Sequence, residues 1–140
     1  MTDEWYVLIE ENVHEPRRVE GTELEMYRWR VAGSYFIDGG EARAVEVAED
    51  AARNYLPREL ADHARSGDVP GRSAFLTRDG AWMVSIAQRG RRCHIRVTVG
   101  RLAHLQDESE APPMSLKEKL RSVVQAPAPR PTPWMPTPRH

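Results

Sequence analysis

Residues 72–101, RSAFLTRDGAWMVSIAQRGRRCHIRVTVGR, constrain the fold more than any other stretch of the chain. Trp82, Val84 and Ile86 alternate with Met83 and Ser85, and Cys93, Ile95, Val97 and Val99 alternate with His94, Arg96 and Thr98. Alternation with period two is the pattern of half-buried strands, so these runs predict two paired strands with one apolar face. Gln88-Arg89-Gly90-Arg91 supplies the turn between them. Asp79-Gly80 predicts an earlier type I′ turn, in which both central residues take positive φ. Trp82, Val84, Ile95 and Val97 are the expected core, with His94 on the opposite phase.

The rest of the chain is read against this ladder. Residues 4–11 (EWYVLIEE) predict a first strand that is apolar on both phases, hence a central one. Residues 12–22, with Pro16 and Gly21, predict a loop. Residues 23–35 predict a second strand whose apolar phase switches near Met26 and Tyr27, as a bulge would require. Residues 41–56 carry Ala42, Val45, Ala48, Ala52 and Tyr55 at helical spacing, and Pro57 ends that helix. Residues 59–64 could add a further helical turn.

The expected architecture is α+β: a mainly antiparallel sheet of about five strands with one packed helix, in the order ββαβββ. Residues 1–106 form this domain, 107–113 a linker, 114–125 a short amphipathic helix, and 126–140 a disordered tail with six prolines. Ser115 and Glu118 match a capping box at the start of the short helix. The element order resembles that of β-grasp proteins, in succession alone, and such a likeness implies no function. No family is recognisable from the residues.

Charge is unevenly placed although the net charge is only −1. Residues 1–25 hold eight acids against two arginines, whereas residues 71–104 hold seven arginines against one aspartate. Arg89, Arg91 and Arg92 crowd a hairpin tip and Arg96 follows on the polar phase, an arrangement that could contact phosphates. No aromatic residue within that stretch interleaves with these arginines, so no stacking platform is evident. The acidic segment could equally neutralise the patch if the two adjoin, or across a homodimer contact.

Catalytic chemistry finds little support. The five histidines lack paired ligand spacing, and Cys93 and His94 point to opposite faces of a strand, so neither a metal nor another cofactor is expected. Ser34, Ser73 and Ser85 lack a glycine-framed nucleophile turn, and Gly39-Gly40 is too short for a phosphate-binding loop. The sequence contains neither an apolar run long enough to cross a membrane nor a basic leader, and its one cysteine suits a reducing compartment, so a cytoplasmic location is expected.

The expectation is therefore a small, non-enzymatic protein-interaction or adaptor module whose partner is another protein or a second copy. Leu116, Leu120, Val123, Val124 and Trp134 would form its docking arm. A nucleic-acid-binding accessory protein using Arg89, Arg91, Arg92 and Arg96 is the alternative. An enzyme with an unrecognised site is the second.

Overall fold

In the computed structural model the described residues are 3–122 and 130–133. The chain divides into two units, Met1–Leu105 and Gln106–His140. The first unit holds strands β1 (Trp5–Val19), β2 (Thr22–Ile37), β3 (Gly71–Leu76), β4 (Trp82–Gln88) and β5 (Arg91–Arg101), with helices α1 (Gly40–Asn54) and α2 (Arg58–Asp62) between β2 and β3. All strands are antiparallel to their neighbours, and the sheet order is β2-β1-β5-β4-β3. The α+β class and antiparallel sheet are thus as expected. The resemblance to a β-grasp ends with the element order: three strands rather than two follow the helices, so β5 runs against β1.

The core lies between α1 and one face of the sheet. Val84, Ile86, Ile95 and Val97 are buried there, as the alternation requires, with Val7 and Ile9 from β1 and Cys93 from β5. Trp82 is half-buried at the edge of this cluster. Ala44, Ala48 and Ala52 form the buried stripe of α1. That corrects the expected stripe, since Ala42 and Val45 are exposed. Three alanines four residues apart let the helix axis approach the sheet closely, and Val45 is left on the flank. Leu60 of α2 closes one end of the core.

The largest correction concerns residues 12–22. They are not a loop: β1 continues to Val19 and pairs with β2 from Val19↔Thr22 onward. Glu20 and Gly21 both have positive φ, 50° and 78°, which makes the link a two-residue type I′ turn. Pro16 misled the reading. It faces Glu25 across the ladder, an even β1 position whose missing N–H points away from β2. Beyond Glu11 no β5 residue pairs with β1, so nothing there needs that donor. The bulge also moves. It lies at Ala32, between the pairs Ile9↔Gly33 and Glu10↔Val31, rather than near Met26.

The hairpin turns of the basic region divide between the two geometries. Arg89 and Gly90, with φ of 50° and 76°, form the type I′ turn between β4 and β5. At Asp79-Gly80 only Gly80 has positive φ. The connection is longer there: Gly80 N–H donates to Thr77 O at 3.0 Å and Thr77 N–H to Ala81 O at 2.7 Å. Asp79 accepts from the Thr77 hydroxyl at 2.6 Å instead of taking a left-handed conformation.

In the second unit, α3 (Leu116–Ser122) begins with the expected capping box. Ser115 N–H donates to Glu118 Oε2 at 3.1 Å, and Glu118 N–H donates to Ser115 Oγ at 3.3 Å. Leu116 and Leu120 are exposed on this helix. Val123, Val124 and Trp134 lie outside the described residues.

Candidate functional site: the open face of the sheet

One face of the sheet carries α1 and the other carries no element of its own unit. The registers place one row of side chains across all five strands of this open face: Phe75, Met83, Arg96, Glu10 and Val31. Phe75 and Val31 are each 66% exposed, Phe36 on the same face is 57% exposed, and Tyr27 is 66% exposed. Tyr6 meets Phe36 edge-on at 5.7 Å between ring centroids. Tyr27 lies 5.0 Å from His14. Single exposed apolar residues mean little, whereas several on one uncovered face are a feature that interaction surfaces share.

The arginines expected to bind phosphate are mostly engaged elsewhere. Arg89 donates to both carboxylate oxygens of Asp68, at 2.6 and 2.8 Å, and the bidentate pair holds the Asp68 carboxyl below its ordinary pKa. Arg91 lies 3.8 Å from Glu59, Arg96 3.7 Å from Glu10, and Arg101 3.5 Å from Asp3. The acidic N-terminal strand therefore neutralises part of the basic hairpin, because β1 and β5 are neighbours. Arg72 works inside the fold. It donates to the carbonyls of Ala52 at 3.0 Å and Tyr55 at 2.7 Å, satisfying acceptors at the end of α1.

The stacking platform missing from the basic segment is supplied by β2. The Arg96 guanidinium lies 4.9 Å from the centre of the Trp29 ring, within cation–π range. Trp29 pairs with Asn12 on β1, which places it on the open face beside the row holding Arg96. The sequence could not reveal this, because the phase of residues 23–31 depends on the bulge at Ala32. Where β1 parts from β5, a notch of about 560 Å³ is lined by Asn12, His14, Tyr27, Arg91, Arg92 and His94, with Glu59.

The described residues contain no group of three His, Cys, Asp or Glu side chains able to hold a metal ion. Cys93 is buried, and burial together with the nearby Glu59 carboxylate pushes its thiol up to about 11. Such a thiol is neutral at physiological pH and a poor nucleophile. Tyr55 donates to Glu11 at 2.7 Å, and burial and that carboxylate raise its phenol pKa. A groove of about 570 Å³ beside α1 is lined by Trp5, Trp82, Val45 and Leu76, with Glu41, Glu49 and Asp79. Its acids already have roles. Glu41 sits in the first turn of α1, Glu49 pairs with Arg53 at 2.9 Å, and Asp79 braces its turn. No helix among the described residues is long and apolar enough to cross a membrane.

Comparison with protein-family models, curated proteins and solved structures finds no match to this chain.

Proposed function

We propose that the Met1–Leu105 unit is a non-catalytic protein-binding module that docks a partner protein across its open sheet face. One observation carries this reading: Val31, Tyr27, Phe36 and Phe75 are each more than half exposed on that face. Their exposed area, roughly 500 Å² on typical side-chain sizes, approaches the apolar share of a standard interface. A protein surface fits this face better than nucleic acid, because Glu10 and Glu59 offset Arg96 and Arg91 and the Arg96 guanidinium already occupies the Trp29 ring. The docking surface of this proposal therefore shifts from the Leu116 and Leu120 stripe of α3 to the sheet.

A second reading has its own support, since Trp29 and Tyr27 share the face with Arg92 and His94. Single-stranded nucleic acid could stack there with phosphates on the basic side chains. Capture from native extract by the full chain, before and after nuclease treatment, separates the two. The proposal expects a protein retained after nuclease and lost from the doubly substituted Phe36→Ser, Phe75→Ser chain, whose circular dichroism stays native. Retention that disappears with nuclease, together with a low-salt mobility shift of single strands, would replace it by the second reading. A face variant that loses no partner overturns the proposal.

A further inference from the structure

The groove of about 570 Å³ beside α1 combines apolar walls with three carboxylates. Its helical wall is the flank Glu41, Val45, Ala48 and Glu49, residues three or four apart on one side of α1. Its other wall is the end of the sheet face that α1 covers. Trp5 lies opposite Arg101 and Trp82 opposite Val97, so the two indoles flank Val99 from the two neighbours of β5. Leu76 extends the row beside Trp82 onto β3. Val45 and Leu76 are 53% and 60% exposed, and both indoles are only half-buried. Helix and sheet thus leave apolar side chains standing around a cavity instead of closing over them.

The charge around the groove has one sign. Glu41, Glu49 and Asp79 line it, and no lysine, arginine or histidine does. Glu41 forms no ion pair among the described residues. Asp79 accepts from the neutral Thr77 hydroxyl, which holds its carboxyl below the ordinary range and so keeps it ionised. Glu49 has a cation, Arg53, one turn along the helix and outside the lining. Neighbouring bases are directed elsewhere: Arg43 to Glu46 at 3.0 Å and Arg101 to Asp3 at 3.5 Å. The three carboxylates do not form a cluster able to hold a metal ion, so the complement they fit is a larger, organic cation. Indole rings attract such a cation through their electron-rich faces, and apolar neighbours take up its carbon frame.

We propose that this groove binds a small organic cation, an ammonium or guanidinium on an apolar body the size of one aromatic ring. Glu41, Glu49 and Asp79 hold the charge, and Trp5, Trp82 and Val45 hold the body. The volume lies within the roughly 300–1,000 Å³ typical of small-molecule sites. The groove is bounded by α1, the strand ends and the turn from Asp79 to Ala81, which suits a short ligand better than a polypeptide running through. The site shares none of the residues Val31, Tyr27, Phe36 and Phe75, so it stands or falls apart from docking on the open face.

The test uses the full chain and three probes of similar size: 2-phenylethylammonium, 2-phenylethanol and phenylacetate. Binding is followed by NMR titration of the indole N–H resonances. The ammonium should shift those of Trp5 and Trp82 but not that of Trp29, which lies under Arg96 on the opposite face, with a Kd of about 1 mM or tighter. The alcohol should bind roughly 5-fold more weakly or worse, and the anion more weakly still. Glu41→Gln should weaken ammonium binding roughly 2- to 5-fold. Val45→Arg brings a competing guanidinium to the groove from an exposed helix position, and should abolish binding with native circular dichroism retained. Equal affinity for the three probes, no shift up to about 10 mM ammonium, or binding that survives Val45→Arg overturns the proposal. So does tighter binding of acetyl-Gly-Lys-Gly-amide than of the ammonium, which would assign the groove to a basic protein segment.

Discussion

The body of the sheet, β3 to β5 under α1, and the arm formed by residues 12–30 of β1 and β2 share one kind of local geometry and opposite surroundings. Both are antiparallel ladders closed by a type I′ turn with a non-glycine residue at positive φ, Arg89 in one and Glu20 in the other. In the body the apolar phase meets a helix, so Val84, Ile95 and Val97 are buried, while the opposite phase mixes polar Ser85, His94, Arg96 and Thr98 with Met83 and Phe75. In the arm Leu24, Met26 and Tyr27 are exposed on both phases, because neither α1 nor β5 reaches that far. An isolated two-stranded ribbon is marginally stable in water. The difference teaches that the alternation of a strand reports what covers it: where no element lies on either side, apolar residues stand on both phases.

The sharpest way to break this contrast is to compare deletions in the two regions. Ile95→Ala, at a fully buried position, should destabilise the unit by about 2–5 kcal/mol, measured by denaturant unfolding. A cost near zero would mean that the body is not the core. Next in size is Arg72→Met, which keeps the aliphatic stem but leaves the Ala52 and Tyr55 carbonyls without their donor; a loss of about 1–3 kcal/mol is expected. Equal stability of this variant would show that Arg72 is not an end cap of α1.

A smaller, pH-dependent effect tests the tie between the loop holding Asp68 and the β4–β5 turn. The Arg89 hydrogen bonds, and after them the Arg65 N–H, hold the folded Asp68 pKa below its ordinary value. A depressed carboxylate contributes stability that is present above its unfolded pKa and lost as pH falls through the folded one. The gap in melting temperature between wild type and Asp68→Asn should therefore be widest above about pH 5 and close in stronger acid. A gap that does not change with pH removes the ion pair from the account. Smallest of all should be Val19→Ala at the arm tip, within about 0.5 kcal/mol by the same denaturant measurement. A larger cost would mean that the arm tip is packed after all.

The region around residues 82–99 was legible because strong alternation, compact turns and coverage by one helix all point to one register. The helix was legible in extent but not in phase. Alanines occupy so many of its positions that several stripes are compatible with the spacing, and contact with Val84, Ile95 and their neighbours selects Ala44, Ala48 and Ala52. The arm was misread because Pro16 and the polar run around it are loop signals in a central strand, yet harmless where one side of a strand is free. The open face, assembled from Phe75, Arg96, Val31 and Trp29, draws on three strands far apart in sequence.

By itself the sequence determined the elements whose signals are local: the β4 and β5 alternation, the extent of α1 before Pro57, and the Ser115–Glu118 cap. Local signals suffice there because the interactions span only a few residues. Tertiary structure alone decided that β1 lies beside β5, and so which acids meet which arginines, which aromatic ring lies under Arg96, and which sheet edge is left long and free. Those outcomes depend on pairing between distant strands. A one-residue bulge at Ala32 is enough to exchange the faces of everything beyond it, and no local pattern fixes where that bulge falls.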